Sequence, residues 1–182
     1  MINKLESNRI RLRRLKLSDA KSIATLAKSR KISRYTFIPY PYTSTDAIKF
    51  IRVCHGQYRN KKFFNFGIEL KETGEIIGMM SIVQLSQKYH NAEIGYWLGK
   101  KYWGRGIARE ALEILLKHCF VELKLHRVYA HVMHPNTASA KLLKKAGFKF
   151  EGIARQQIKR RGKWMDMLWF GLLATEYRQQ KK

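Results

Sequence analysis

The chain has 182 residues, 45% hydrophobic and 27% charged, which suits one compact domain with a real core and excludes an intrinsically disordered segment. Lysine and arginine number 37 against 13 aspartates and glutamates, a formal net charge of +24 that attracts polyanions and repels polycations without naming a function. No apolar run approaches the roughly 20 residues of a membrane helix, and the stretch MINKLESNRIRLRRL lacks the apolar segment of a secretory leader.

Arg9–Leu15 alternates arginine with isoleucine and leucine, the period-two pattern of a strand with one buried face. Ser18 offers an N-cap for a helix over Asp19–Lys28, with Asp19 favourable at its positive end. Thr36–Tyr42, holding Pro39 and Pro41, reads as an irregular aromatic loop. Ser44 or Thr45 caps a second helix over Asp46–Arg59. Phe63–Leu70 and Glu75–Leu85 read as a hairpin around Gly74, followed by a strand over Ala92–Leu98. Ile107, Ala111, Leu112, Leu115, Leu116 and Cys119 recur at helical spacing, so a helix is predicted over Ile107–Val121. Arg127–Met133 is a further strand, and Asn136–Lys145 a helix stopped by Gly147. Phe148–Lys159 and Lys163–Leu173 close the chain as a hairpin around Arg161–Gly162. Nothing divides the sequence, so residues 1–182 are expected to form a single α/β (α+β) domain, a mixed sheet with helices on both faces. Cys54 and Cys119, far apart and with no second cysteine nearby, exclude a disulfide framework and suit a reducing cytoplasm.

The most informative stretch runs from Trp97 to Glu110. A strand enters Gly104-Arg105-Gly106 and a helix starts at once, so glycine amides and the positive helix end converge as a phosphate or pyrophosphate site requires. The P-loop pattern GxxxxGK[ST] is absent, and a dinucleotide fingerprint forced from Gly104, Gly106 and Ala108 lacks its second βαβ half. A glycine-rich turn with no ligand is the plain alternative.

Other segments accompany this loop. Trp103-Gly-Arg-Gly-Ile-Ala108 is similar to the signature Q/R-x-x-G-x-G/A, and Asn136-Thr-Ala-Ser139, leading into Lys-Lys-Ala-Gly147-Phe148, to the N-x-x-[A/S]…K-x-G-F helix. With Ala92-Glu-Ile-Gly-Tyr-Trp-Leu98 and Phe150-Glu-Gly152, the chain resembles the GNAT superfamily of acetyl-CoA-dependent N-acetyltransferases. Within it, the sequence looks most like the RimJ/RimL branch, which acetylates ribosomal-protein N-termini. The resemblance covers nearly the whole chain and is strongest from Ala92 to Gly152. It implies a mixed, mostly antiparallel seven-stranded sheet, acetyl-CoA as co-substrate, no metal, and direct attack of an amine on the thioester. Two positions depart from the pattern. Trp103 stands where the signature has Gln or Arg, and Leu143 where many members carry a tyrosine that protonates the leaving thiolate.

The resemblance also assigns roles. Glu93 is the implied general base, since a carboxylate inside an apolar strand is costly without a task or partner; a surface glutamate paired with lysine is the alternative. The backbone N–H of Leu98 would polarise the acetyl carbonyl, with Tyr96 and Leu98 flanking the pantetheine arm between two splayed strands. Amides of Gly104, Arg105, Gly106, Ile107 and Ala108 would hold the pyrophosphate, with Lys101 and Arg105 adding charge. Asn136 would bond pantetheine or orient the amine, although a helix N-cap explains it equally well. Ser139 would protonate the thiolate in place of the missing tyrosine. His131 and His134 point to opposite faces of a strand and do not suit a metal, and His118 beside Cys119 does not face it on a helix. The implied partner is a protein or peptide N-terminus, with a ribosome or acidic protein approached through the basic field. A small amine (polyamine or aminoglycoside) as acceptor, or a non-catalytic nucleic-acid-binding module, are the alternatives. No motif identifies the acceptor or the oligomeric state.

Overall fold

The structure is a computed structural model that describes residues 5–59 and 63–180; residues 1–4, 60–62 and 181–182 of the expected domain lie outside the described residues. Eight strands form one sheet: β1 (Leu5–Glu6), β2 (Ile10–Arg14), β3 (Phe64–Leu70), β4 (Ile76–Ser86), β5 (Asn91–Leu98), β6 (Arg127–Met133), β7 (Lys149–Arg160) and β8 (Lys163–Leu173). Their spatial order is β1-β2-β3-β4-β5-β6-β8-β7. The strand beyond the expected seven is β1, two residues long, which pairs Leu5 with Leu12 and Glu6 with Arg11. Every neighbouring pair is antiparallel except β5 and β6. Arg161 (φ 51°) and Gly162 (φ 79°) make the tight turn between β7 and β8.

Helices cover both faces. The helices α1 (Ala20–Ala27), α2 (Arg30–Ser33) and α3 (Ser44–Arg59) precede β3, α4 (Ile107–Lys117) links β5 to β6, α5 (Thr137–Lys145) links β6 to β7, and α6 (Ala174–Gln179) follows β8. Leu112, Leu115 and Leu116 of α4 and Leu143 of α5 pack with Ile82, Ile94 and Phe170 on one side of the sheet. Ile23 and Ala27 of α1 and Ile51 and Cys54 of α3 pack with Ile76 and Met79 on the other. The run Ile76–Met80 in β4 is accordingly buried throughout, the mark of a strand covered on both faces.

Three local expectations need correction. Neither Ser44 nor Thr45 caps α3. Thr43 does, its hydroxyl accepting from the Asp46 amide at 3.2 Å while Asp46 accepts from the Thr43 amide at 2.9 Å, a reciprocal box that starts the helix two residues early. The helix expected over Ile107–Val121 keeps α-geometry only to Lys117; His118–Glu122 widens into a π-turn closed by Leu123 N–H to His118 C=O at 2.9 Å. Ser18 makes no cap. A 3₁₀ turn at Leu17–Asp19 precedes α1, because the Asp19 carboxylate is drawn away to the Lys16 amide (2.7 Å) and to both terminal nitrogens of Arg13 (2.8 and 2.9 Å).

Arg13 holds two carboxylates at once. Its side chain is 15% exposed, and it pairs with Asp19 (9% exposed) and with Glu69 (12%) on the adjacent strand. Burial works to raise the Asp19 carboxyl, and the hydrogen bonds from Arg13 and the Lys16 amide outweigh it, holding it below the ordinary carboxylate value. Removing one member of so enclosed a cluster strands the others. Arg13→Ala should therefore cost about 3 kcal/mol of unfolding free energy, read as a lower urea midpoint at unchanged slope. Because the Asp19 pKa is depressed on folding, its contribution exists above the unfolded value and vanishes as pH falls through the native one. The stability gap between the parent chain and Asp19→Asn should thus close in acid, below the ordinary value of 3.8.

Candidate active site

The site begins where the sheet comes apart. Parallel pairing of β5 with β6 lasts only from Asn91 to Glu93, opposite Arg127 to Tyr129. Beyond that point β5 continues to Leu98 and β6 to Met133 without further ladder between them. Two cavities open at the fork. One, of about 390 Å³, lies among Leu98, Gly104, Gly106, Ile107, Ala108 and Leu142. The other, of about 680 Å³, lies between the aromatic loop and the last hairpin. Tyr96, Trp97, Asn136 and Ser139 belong to the walls of both.

The smaller cavity has the features of an anion-ended pocket. Gly104 and Gly106 both sit at φ 75°, a left-handed conformation that a side chain resists, and they turn the chain directly into α4. The first amides of α4, those of Ile107, Ala108 and Arg109, have no acceptor inside the helix and lie at its positive end. A Cβ placed on Gly104 would meet nothing within 4 Å, so the loop leaves room for a bulky anion. Arg9 fixes the loop from outside, donating to the Arg105 carbonyl at 3.2 Å and pairing with Glu110. Burial pushes the Glu110 carboxyl up, but hydrogen bonds from Ser7 and Arg9 prevail and keep it low. Its charge is thereby compensated close to where an anion would lie. Trp103 donates its indole N–H to the Leu98 carbonyl at 2.6 Å, which ties the loop to the end of β5. Lys101, with its ammonium 4.9 Å from the Tyr102 ring centre, and Arg105 stand beside this cavity and are not among the residues that line it.

Between the cavities, the Tyr96 hydroxyl and Ser139 Oγ are 2.8 Å apart. Burial pushes the Tyr96 phenol up to about 12, so it stays protonated at neutral pH. Asn136 accepts from the Ser139 amide at 3.3 Å through Oδ1 and so caps α5. Glu93 lies on the wall of the larger cavity with His131 Nδ1 3.1 Å from its Oε1. The imidazole packs at a tilt with its centre 4.4 Å from that of the Trp169 ring, and its Nε2 is buried without a partner among the described residues. A carboxylate so placed can take a proton from an amine, and a hydroxyl pair backed by a neutral phenol can give one to a thiolate. Sequence reasoning missed His131 as a neighbour of Glu93. The available signal was the alternation of β6, which puts Tyr129 and His131 on one face, with Tyr129 opposite Glu93 in the register. His118 instead pairs with Glu122 at 2.9 Å, and burial pushes the Cys119 thiol up to about 12, which leaves it inert.

Residues 9–149 match the family model of the acetyltransferase (GNAT) domain. The chain belongs to the GNAT acetyltransferase family. It is an acetyl-CoA-dependent N-acetyltransferase. N-acetyltransferase p20 of Bacillus licheniformis, itself uncharacterised, is 34% identical over 174 residues, 95% of this chain and 97% of that protein. YdaF of Bacillus subtilis (strain 168), named as a ribosomal N-acetyltransferase, is 30% identical over 94% of this chain and 95% of its own length. A spermidine N(1)-acetyltransferase of Vibrio cholerae is 25% identical over 94% of this chain and 96% of its own length. Among solved structures, Mycobacterium smegmatis RimJ in complex with CoA-disulfide superposes with a TM-score of 0.83 at 28% identity, covering 92% of this chain and 83% of that one.

The cap that Asn136 makes can be separated from the cofactor contact expected of it. Asn136→Ala should lower stability by about 1 kcal/mol through the lost cap. Asn136→Ser should keep the cap and most of the stability. Thermal melts with and without acetyl-CoA then report the amide alone: a smaller ligand-induced shift in Asn136→Ser assigns it to the cofactor.

Proposed function

We propose that the chain transfers the acetyl group of acetyl-CoA to the α-amine of a polypeptide, of the ribosomal-protein type, as a single catalytic domain working in the cytoplasm. The observation that carries the acceptor class is that Glu93 is, among the described residues, the one carboxylate on the cavity wall not bound into a helix cap. The other carboxylate on that wall, Asp46, is committed to the cap of α3, and Lys49 stands beside it. A polyamine needs several anionic contacts and would have to cross the field of a +24 protein. A polypeptide N-terminus presents one amine, and its deprotonation is easy because its pKa is near 8. The relatedness to YdaF and the likeness to RimJ favour the same acceptor; the spermidine enzyme, a more distant relative, favours the polyamine.

In this reading acetyl-CoA lies with its pyrophosphate on the amides of Gly104 to Ala108 and its pantetheine arm in the fork, against Tyr96, Leu98 and Asn136. Lys101 and Arg105 act at longer range, by charge. The Leu98 N–H meets the carbonyl oxygen as it becomes an oxyanion. Glu93 takes the proton from the incoming ammonium, held in place by His131. The amine attacks, the C–S bond breaks, Ser139, backed by Tyr96, supplies the proton that the departing thiolate needs, and the proton shed by the new amide nitrogen restores the Ser139 hydroxyl. A ribosome or another acidic assembly is the partner that the basic surface suits.

Release of thiol from acetyl-CoA, followed against N-terminal peptides, polyamines and aminoglycosides, tests the acceptor. Peptides should react best, and spermidine turning over faster would replace this reading. Glu93→Gln should lower kcat by at least about 100-fold while acetyl-CoA protects the fold as before, by about 2.7 kcal/mol at a hundredfold excess over Kd. Undiminished turnover would remove Glu93 as the base. RNA affinity with a steep salt slope and no thiol release would mark a binding module instead.

A further inference from the structure

We propose that the acceptor amine is flanked by a bulky apolar side chain, a first residue such as leucine, methionine or phenylalanine, seated in the cavity of about 680 Å³. The seat deepens the reading above and depends on it for the polypeptide, but not for the apolar group.

Several of the polar side chains on this wall are already bonded within the protein. The Thr36 hydroxyl donates to the Ile32 carbonyl at 2.9 Å, and the Ser81 hydroxyl to Asn65 at 2.8 Å. The Gln157 carbonyl accepts from the Trp169 indole at 3.2 Å. Asp46 accepts from both the amide and the hydroxyl of Thr43, and His131 is paired with Glu93. A ligand entering here meets spent hydrogen-bonding groups and free apolar surface. That surface comes from Phe37, Ile38, Tyr42, Phe50, Val83 and Met167.

Two of these residues stand unusually open. Phe37 is 68% exposed and Val83 41%, although both are large, apolar and on the wall of a concave site. Phe37 is held there rather than left loose: the Arg160 guanidinium lies 5.6 Å from its ring centre and donates to the carbonyls of Ser33 and Thr36, at 3.1 and 2.6 Å. The last hairpin therefore anchors the aromatic loop through Arg160. Covering such a wall with an apolar side chain removes it from water, while a small or hydrophilic residue gains nothing.

Charge fixes which end goes where. Glu93 at the fork suits the ammonium, and Lys49 among the outer wall residues discourages a second positive charge on the same ligand. The chain of the acceptor then leaves by the mouth, and the first side chain turns onto the apolar wall. A few methylenes in such a pocket discriminate by tenfold or more.

The test uses the full chain, acetyl-CoA and peptides identical except for a first residue of Ala, Ser, Leu or Phe, with leucinamide, alaninamide and spermidine alongside. We expect kcat/KM for the Leu and Phe peptides to exceed that for Ser by at least about tenfold. Phe37→Asp, at an exposed position where folding is not at stake, should shrink the Leu/Ser ratio at least fivefold (roughly the discrimination of a methylene or two) while acetyl-CoA still raises Tm. Val83→Asp is the second variant, expected to act in the same direction. Equal rates across the peptides, or a preference for Ala and Ser, would overturn the apolar seat and leave the N-terminal reading intact. Inert peptides with leucinamide reacting ahead of alaninamide would support the seat and remove the polypeptide. Spermidine ahead of every other acceptor would overturn both.

Discussion

The parting of β5 from β6 after Glu93 is the constraint on which the rest of the site depends. A sheet that stops pairing in its interior leaves backbone N–H and C=O groups on both inner edges, and such groups are costly when buried without partners. The edges stay affordable because each strand keeps its outer neighbour, β4 for β5 and β8 for β6. The pantetheine arm of coenzyme A, proposed above to lie in the fork, carries amides of its own that suit such edges. The same divergence separates the anion-ended cavity from the apolar one and makes Tyr96, Trp97, Asn136 and Ser139 a shared wall. The opening is also bridged. The hydroxyl contact from Tyr96 on β5 to Ser139 on α5 ties one lip to the helix that follows the other, in addition to the proton-transfer role proposed for it.

Much of this was legible in the chain itself. The order of strands and helices followed from period-two and helical spacing, with β6 and β8 matching to the residue. The glycine loop was legible because left-handed φ at Gly104 and Gly106 leaves few residue choices, and the site order because short motifs recur in a fixed sequence. The failures have local causes. Ser18 lost its cap because the buried Arg13 outcompetes helix geometry for Asp19, a contact that only tertiary packing creates. The π-turn at His118–Glu122 changes no hydrophobic spacing that a period would register. The two-residue β1 is too short to carry a period. His131 was weighed only as a metal ligand, because its pairing with Glu93 depends on which strands are adjacent.

Trp103 is informative in another way. In the signature its position holds Gln or Arg, residues able to reach a phosphate, and the tryptophan looks like a loss from sequence alone. Its indole N–H instead reaches the Leu98 carbonyl, joining the phosphate loop to the strand whose amide is proposed to meet the reacting carbonyl. The substitution exchanges a direct ionic contact for a mechanical one. The main-chain amides proposed to hold the pyrophosphate are kept in register from two sides, by Trp103 from the strand and by Arg9 from the Arg105 carbonyl.

Charge and cavity divide the labour of recognition. A net charge of +24 acts over a Debye length, about 8 Å at physiological salt, and so governs approach rather than fit. Inside the larger cavity the field has less left to choose among, because several of its polar groups are bonded within the protein and Glu93 is the group proposed to meet the amine. A partner drawn in by its negative surface must still present one amine at the fork and something apolar beside it. Raised salt should therefore slow encounter for all acidic carriers alike, whereas the apolar wall ranks them in a way that salt does not touch. The two selections are independent, and an acceptor has to satisfy both.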